Sequence, residues 1–200
     1  MLSVLAVLFA CAPKRVELPS YEGVDVKEVL ASRKNISAIE TRFSILFEKD
    51  DTEMRGDGAL NILQTGDMNM RLYSFGFLAF ELSSQDGIIK SKPAVDRSKG
   101  IILTGGLRDC LFWWDITNFE TQEKEGTILL ANNTRQLWID RKTMLPVKQV
   151  ISLEDGRELN IFYENPEKNG NMWYPAKIRI ELAKYAVTLN IKDMLFILQT

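Results

Sequence analysis

Hydrophobic and polar residues alternate with a period of two through most of this chain. Phe43, Ile45 and Phe47 alternate with Arg42, Ser44 and Glu48. Met68, Met70 and Leu72 alternate with Asn69, Arg71 and Tyr73, and Leu78, Phe80 and Leu82 with Ala79, Glu81 and Ser83. The rhythm returns in Ile178, Ile180 and Leu182 against Lys177, Arg179 and Glu181, and in Val187, Leu189 and Ile191 against Thr188, Asn190 and Lys192. One wet side and one oily side predict antiparallel strands packed on a single face. Such strands are expected over 37–48, 54–64, 68–75, 77–84 and 86–91, then over 127–132, 135–140, 146–153, 157–164, 173–183 and 185–196. Turn chemistry separates them at Gly66-Asp67, Phe75-Gly76-Phe77, Asp86-Gly87, Asn132-Asn133, Asp155-Gly156, Asn165-Pro166 and Asn169-Gly170. Helical spacing is confined to two places. The first is 24–34, where Val26, Val29, Leu30 and Arg33 share a side and Asp25 serves as a cap or first-turn acid. The second lies between Ala94 and Phe119, where Gly105-Gly106 reads as a break that leaves 107–116 as the clearest helix.

Area decides how these elements assemble. About eleven strands spaced ~4.8 Å apart make a sheet about 50 Å wide. With strands ~20 Å long, the oily face measures on the order of 1,000 Å². A helix of ten or eleven residues is about 16 Å long and about 10 Å wide, so two or three of them cover roughly 400 Å². The remainder is too large to face water as one patch. The sheet must curl, pack against a second sheet, or leave an apolar hollow for a ligand. Curling around the helices is the simplest solution. The expected fold class is therefore mainly β (α+β), an unclosed antiparallel β-barrel of about eleven strands with a short helical lid enclosing an apolar cavity.

Composition narrows the chemistry. The chain has 200 residues, 46% hydrophobic and 26% charged, enough for one domain with a core that needs no staples. A net charge of -2 without a basic stripe argues against nucleic acid. Histidine is absent, which removes the commonest general base and the commonest metal ligand. No Gly-x-Ser-x-Gly, Cys-x-x-Cys, phosphate-binding glycine loop or metal-spaced cluster occurs. Gly56-Asp57-Gly58 reads as a turn signal, and Asp50-Asp51 and Glu123-Lys124-Glu125 as solvated loop charges. Carboxylate-pair hydrolysis stays open, because pairing in space is not written in a single sequence. The expectation is a protein that is no enzyme and uses no cofactor and no metal. Trp113-Trp114 is expected to pack the lid rather than stack a sugar or base. Cys110 is expected to be a small buried residue, and its pairing with Cys11, the other cysteine, carries no framework signal.

The N-terminus adds a destination. Met1 to Ala10 is an uncharged apolar run too short to span a bilayer, and it reads as the core of an export signal. A buried strand or helix is the alternative. Against it stands the next stretch, where Pro13, Lys14, Arg15, Glu17 and Pro19 have the composition of a tether. Leu8-Phe9-Ala10-Cys11 resembles a bacterial lipobox, although Phe9 is bulky there and no Lys or Arg precedes the run. The implied organisation is a signal peptide at 1–10, a tether at 11–22 lipid-anchored through Cys11, and a binding domain at 23–200. Ala12 stands where an aspartate would imply retention in the inner membrane, so the resemblance implies delivery to the outer membrane.

One helix, five strands, an interrupted helical segment and six strands, over roughly 24–197, resemble the LolA/LolB lipoprotein-sorting superfamily. The resemblance rests on Arg55-Gly56-Asp57-Gly58 before the second strand, and on Phe75-Gly76-Phe77 leading into Leu78-Ala79-Phe80-Glu81-Leu82. It rests also on Leu107-Arg108-Asp109-Cys110-Leu111-Phe112-Trp113 as a central helix, and on Tyr174-Pro175-Ala176-Lys177-Ile178 followed by Val187 to Met194 as a closing hairpin. Cys11 implies the lipid-anchored LolB receptor branch. The turn between the third and fourth strands then carries an exposed apolar residue that helps insert cargo into the membrane, here Phe75 flanked by Gly76 and Phe77. The other reading is that Phe75 and Phe77 tuck under a neighbouring loop. Candidate residues for an acyl-chain cavity are Phe43, Ile45, Met68, Met70, Leu72, Phe80, Leu137, Ile139, Ile161, Ile180 and Leu189, about half of which are expected to be plain core. Methionine suits variable cargo because its side chain is flexible. The implied partners are acylated lipoproteins or lipids and a periplasmic carrier protein, for a monomer held on the outer membrane and facing the periplasm. A lipid- or glycolipid-binding periplasmic sensor or regulatory module of the same fold is the alternative.

Overall fold

In the computed structural model, which describes residues 17–21 and 23–199, the alternating segments form one continuous antiparallel sheet. The first arm comprises β1 (Ile36–Lys49), β2 (Thr52–Leu63), β3 (Met68–Ser74), β4 (Phe77–Gln85) and β5 (Ile88–Lys92). The second comprises β6 (Glu120–Lys124), β7 (Thr127–Ala131), β8 (Arg135–Asp140), β9 (Pro146–Ser152), β10 (Glu158–Asn169), β11 (Met172–Leu182) and β12 (Tyr185–Leu198). The arms join where β12 pairs with β1, giving the order β5-β4-β3-β2-β1-β12-β11-β10-β9-β8-β7-β6. Among the described residues β5 and β6 are free edges, so the barrel is unclosed. A helix α1 (Val26–Ser32) precedes the sheet, with the Asp25 carboxylate accepting from the Lys27 N–H at 2.9 Å.

Among the described residues the sheet has twelve strands rather than about eleven. The addition is β6, Glu-Thr-Gln-Glu-Lys, whose residues are all exposed and which therefore lacks the oily alternation that marks most of the others. A charged edge strand of this kind resists pairing with a second chain. Two further corrections concern alternation and turns. Leu72 faces Phe80 while Tyr73 faces Leu78, so Ala79 is an extra residue that turns Leu78 away from the core face. Asn165-Pro166 is no turn: Asn165 takes φ 54 inside β10, and pairing continues unshifted from Glu164–Lys177 to Pro166–Pro175.

Between β5 and β6 the chain crosses the inner face as a lid: α2 (Arg97–Ile101), a π-helical turn (Ile102–Gly106) and α3 (Leu107–Leu111). The expected break at Gly105-Gly106 does not occur, because the π turn carries the helix through both glycines. At Gly106 a Cβ would lie 3.3 Å from Leu159 Cδ2 and 3.5 Å from Ile180 Cγ2, so the missing side chain lets the lid settle on β10 and β11. The helix stops at Leu111 instead of continuing to residue 116. Phe112 takes φ -102 and ψ 46, and the Asp115 N–H returns to its carbonyl at 2.9 Å. A helix would spread Phe112, Trp113 and Trp114 around its circumference; leaving it allows all three to be buried.

Arg55-Gly56-Asp57-Gly58 lies within β2 rather than before it or in a turn. A Cβ on Gly56 would meet the Tyr73 carbonyl oxygen at 2.5 Å, and one on Gly58 the Phe43 ring at 2.4 Å. Both glycines are packing requirements.

Residues 1–16 and the proposed anchor Cys11 lie outside the described residues. Tyr21, at the described end of the expected tether, packs against the core and donates its N–H to the Lys142 carbonyl at 2.9 Å.

Candidate functional site

The inner face of the sheet and the lid form one hydrophobic cluster. Phe43, Ile45, Met68, Met70, Leu72, Phe80, Leu137, Ile139, Ile161, Ile180 and Leu189 are all buried in it, packed with Ile102, Leu103, Leu107, Cys110, Leu111, Trp113 and Trp114 from the lid region. The interior is thus largely filled by side chains. Among the described residues an apolar pocket of about 180 Å³ stays open at one end, lined on the sheet side by Ile45, Phe47, Leu72 and Phe80 and on the lid side by Val95 and Leu103. Ile45, Leu72 and Phe80 are the candidate residues that reach it; Phe43, Met68, Met70, Leu137, Ile139, Ile161, Ile180 and Leu189 do not line it. Sites for drug-sized ligands measure ~300–1,000 Å³, so this pocket holds a long acyl chain only if the lid moves. Pro93-Ala94-Val95, which forms part of the wall, escaped the periodicity because it is loop; its one signal is an apolar run between two polar stretches.

The lid is fastened unevenly. At its C-terminal end, Arg135 on β8 is buried and donates from Nη2 to the carbonyls of Asp109 (3.0 Å) and Trp113 (3.1 Å) and to Gln149 Oε1 (2.9 Å). Gln149 Oε1 also accepts from the Tyr163 hydroxyl at 3.1 Å. Burial pulls the Arg135 pKa down, opposed by Asp109, and pushes that of Tyr163 well up. Arg33, at the end of α1, lies 5.0 Å from the Trp113 ring centroid and 5.3 Å from that of Trp114, and donates to the Trp173 carbonyl at 3.1 Å. Burial lowers its pKa to about 10. Arg108 joins Asp109, Asp115 and the Gln64 carbonyl. At the α2 end the polar ties are fewer: the Tyr185 hydroxyl donates to Asp96 Oδ2 at 3.1 Å, and Arg157 Nη1 to Ser98 Oγ at 2.9 Å. Arg135, Gln149 and Tyr163 carried no signal in the sequence, since a polar residue on an inward face looks like an ordinary interruption of the alternation.

The turn between β3 and β4 is the most exposed apolar feature. Phe75 is 97% exposed, Phe77 78% and Leu78 53%. Among the described residues no neighbouring loop covers the two phenylalanines. Phe75 at φ 50 and Gly76 at φ 81 form a tight two-residue turn with both residues left-handed. Tyr73, Ser74 and Ala79, which flank the tip, also line the apolar pocket. Tip and pocket therefore lie at the same end of the barrel.

A larger concavity, about 880 Å³, lies on the outer face over β12, β1 and β2–β5. Its floor includes a cross-strand row of Asp193, Arg42, Ala59, Arg71, Glu81 and Lys92. Arg42 pairs with Asp193 and Arg71 with Glu81, so its charges largely neutralise one another. Cys110 is buried and free, its thiol pKa raised chiefly by that burial. Among the described residues no helix is long and apolar enough to cross a membrane, and no group of three or more Cys, Asp or Glu side chains is placed to hold a metal.

No protein-family profile and no curated protein matches this sequence. Solved structures do match its fold. A LolA superfamily protein from Nitrosomonas europaea superposes with a TM-score of 0.58 at 13% identity, covering 88% of this chain and 96% of that one. A DUF1329 family protein from Desulfovibrio piger gives 0.55 at 11% identity over 90% and 94% of the two chains. A domain named for outer membrane lipoprotein sorting, from Vibrio parahaemolyticus, gives 0.50 at 10% identity over 86% and 90%. The chain has the LolA-like fold, an open antiparallel barrel with a helical lid.

Proposed function

We propose that this protein binds the acyl chains of lipoproteins or lipids beneath its lid and passes them to a membrane at the Phe75 hairpin. The observation that carries this reading is the shared location of a solvent-exposed apolar tip and the mouth of an apolar pocket. The likeness in fold to a domain named for outer membrane lipoprotein sorting supports the class of cargo. The finer reading is a LolB-like receptor, anchored through Cys11 on the outer membrane, monomeric, facing the periplasm and supplied by a soluble carrier. It catalyses no bond-making step.

Energetics favours such a device. Each CH₂ removed from water contributes ~0.8 kcal/mol, so a sixteen-carbon chain resists transfer through water by on the order of 11 kcal/mol. A protein interior lowers that barrier by offering an apolar site of intermediate strength. Burying one large apolar side chain contributes roughly 1.5–3 kcal/mol, so a tip of Phe75, Phe77 and Leu78 holds the mouth against a bilayer weakly and reversibly. The fewer polar ties of the α2 end suit opening there, towards the tip.

Replacing Phe75 by Glu tests the reading. Folding and binding of an acylated peptide are expected to be unchanged, while transfer of that peptide to liposomes slows by about ten-fold or more. Unchanged transfer would remove the insertion role.

A further inference from the structure

We propose that the open end of the pocket selects amphiphiles with one acyl chain and an anionic head, and that the Lys99 ammonium supplies the countercharge. This inference rests on the acyl-binding reading above and names the class of ligand that the same pocket takes. The walls are hydrocarbon: Ile45, Phe47, Leu72, Phe80, Val95 and Leu103. Two cationic side chains line the pocket, Lys99 from α2 and Arg55 from β2.

The two cations differ. Arg55 is largely exposed and already paired with Glu53 at 3.0 Å. Lys99 is half-buried, and its Nζ lies 5.1 Å from the centroid of the Phe47 ring, which is itself a pocket wall. No carboxylate among the described residues lies within ion-pair distance of that ammonium. Asp96, three residues earlier, has both oxygens engaged: Oδ1 accepts the Lys99 backbone N–H at 2.9 Å and Oδ2 the Tyr185 hydroxyl at 3.1 Å.

A cation held over an aromatic wall, partly out of water and in no ion pair among the described residues, attracts an anion more strongly than a fully solvated lysine does. A chain seated against Leu72, Phe80 and Leu103 shares its pocket with Lys99, so that its head can be placed against the ammonium. The pocket volume of about 180 Å³ suits a segment of one chain rather than several side by side. The head is a carboxylate or a phosphate, since either accepts from an ammonium.

The test is a titration of the whole chain, followed by tryptophan fluorescence. The ligands are palmitate, 1-palmitoyl lysophosphatidate and uncharged monopalmitoylglycerol, each below its micelle concentration. At least one anion is expected to bind about ten-fold tighter than the neutral ligand, and the tighter anion identifies the head. Lys99→Met, which keeps an apolar stem, should bring the anions down to the neutral ligand's affinity and leave the neutral ligand unchanged. Lys99→Arg should restore the preference. Equal binding of all three ligands by the native protein, or an equal loss of all three in Lys99→Met, would overturn the headgroup assignment while leaving acyl binding intact. Absence of binding by every ligand would overturn the acyl reading as well.

Discussion

A methyl group added at Gly58 would lie 2.4 Å from Cε2 of Phe43 and 2.7 Å from Cδ2 of Leu72, both buried. Gly58→Ala must therefore push an aromatic ring out of its place, and overpacking of this kind destabilises by about 1–3 kcal/mol. The expected result is a lower urea midpoint with an unchanged m-value. Asp96 gives a prediction in pH. Its carboxyl is held below the ordinary range, first by the Lys99 backbone N–H and also by the Tyr185 hydroxyl. A carboxyl whose folded pKa is depressed stabilises the fold above its unfolded pKa, near ~3.9, and loses that contribution as pH falls through the folded value. Asp96→Ala should cost about 1 kcal/mol at neutral pH, the usual loss of a helix cap. The gap between variant and native protein in denaturant melts should close as pH falls below about 4. At this scale the glycines were visible in the sequence but their reason was not. Gly56-Asp57-Gly58 looks like a turn until Phe43 and Tyr73 are placed beside it.

Among the elements, the lid departs furthest from what its residues suggest alone. Its glycine pair continues the helix where a break is expected, and its aromatic run ends the helix early. Both outcomes depend on what the sheet presents: Leu159 and Ile180 receive Gly106 closely, and Arg33 receives Trp113 and Trp114. The strands were legible because alternation is a local signal. β6 was not, since its five residues are all exposed and its place is set by pairing with β7. The lid's C-terminal fastening predicts a specific weakness. Arg135→Met would leave the Asp109 and Trp113 carbonyls and Gln149 Oε1 without that donor, at a cost of about 3 kcal/mol. Hydrogen exchange should quicken over residues 107–116 and remain unchanged in β1 and β12. Uniform quickening along the chain would mean that Arg135 supports the whole fold instead of the lid.

For the molecule as a whole, the oily area was too large for the helices to cover, and that mismatch led to an open, curled sheet with a lid. The position of the exposed tip was legible too, because Phe75-Gly76 is strong turn chemistry and a two-residue turn leaves an aromatic no core to enter. The content of the interior was not. Alternation says which face is oily, and says nothing of how far side chains from the opposite wall and the lid reach into the space. About half of the eleven cavity candidates were expected to be plain core; eight, from Phe43 and Met68 to Leu189, pack against other side chains away from the open pocket. On the proposed function, acyl binding exchanges packed contacts for a chain of similar polarity, starting from the pocket and displacing the α2 end of the lid. The most direct test is photolabelling with an acylated peptide carrying a diazirine along its chain, followed by mapping of the crosslinked residues by mass spectrometry. Labels on Leu103 and Val95 of the lid side and on Ile45, Leu72 and Phe80 of the sheet are predicted. Labels confined to the outer surface around Phe75, or none at all, would contradict the account.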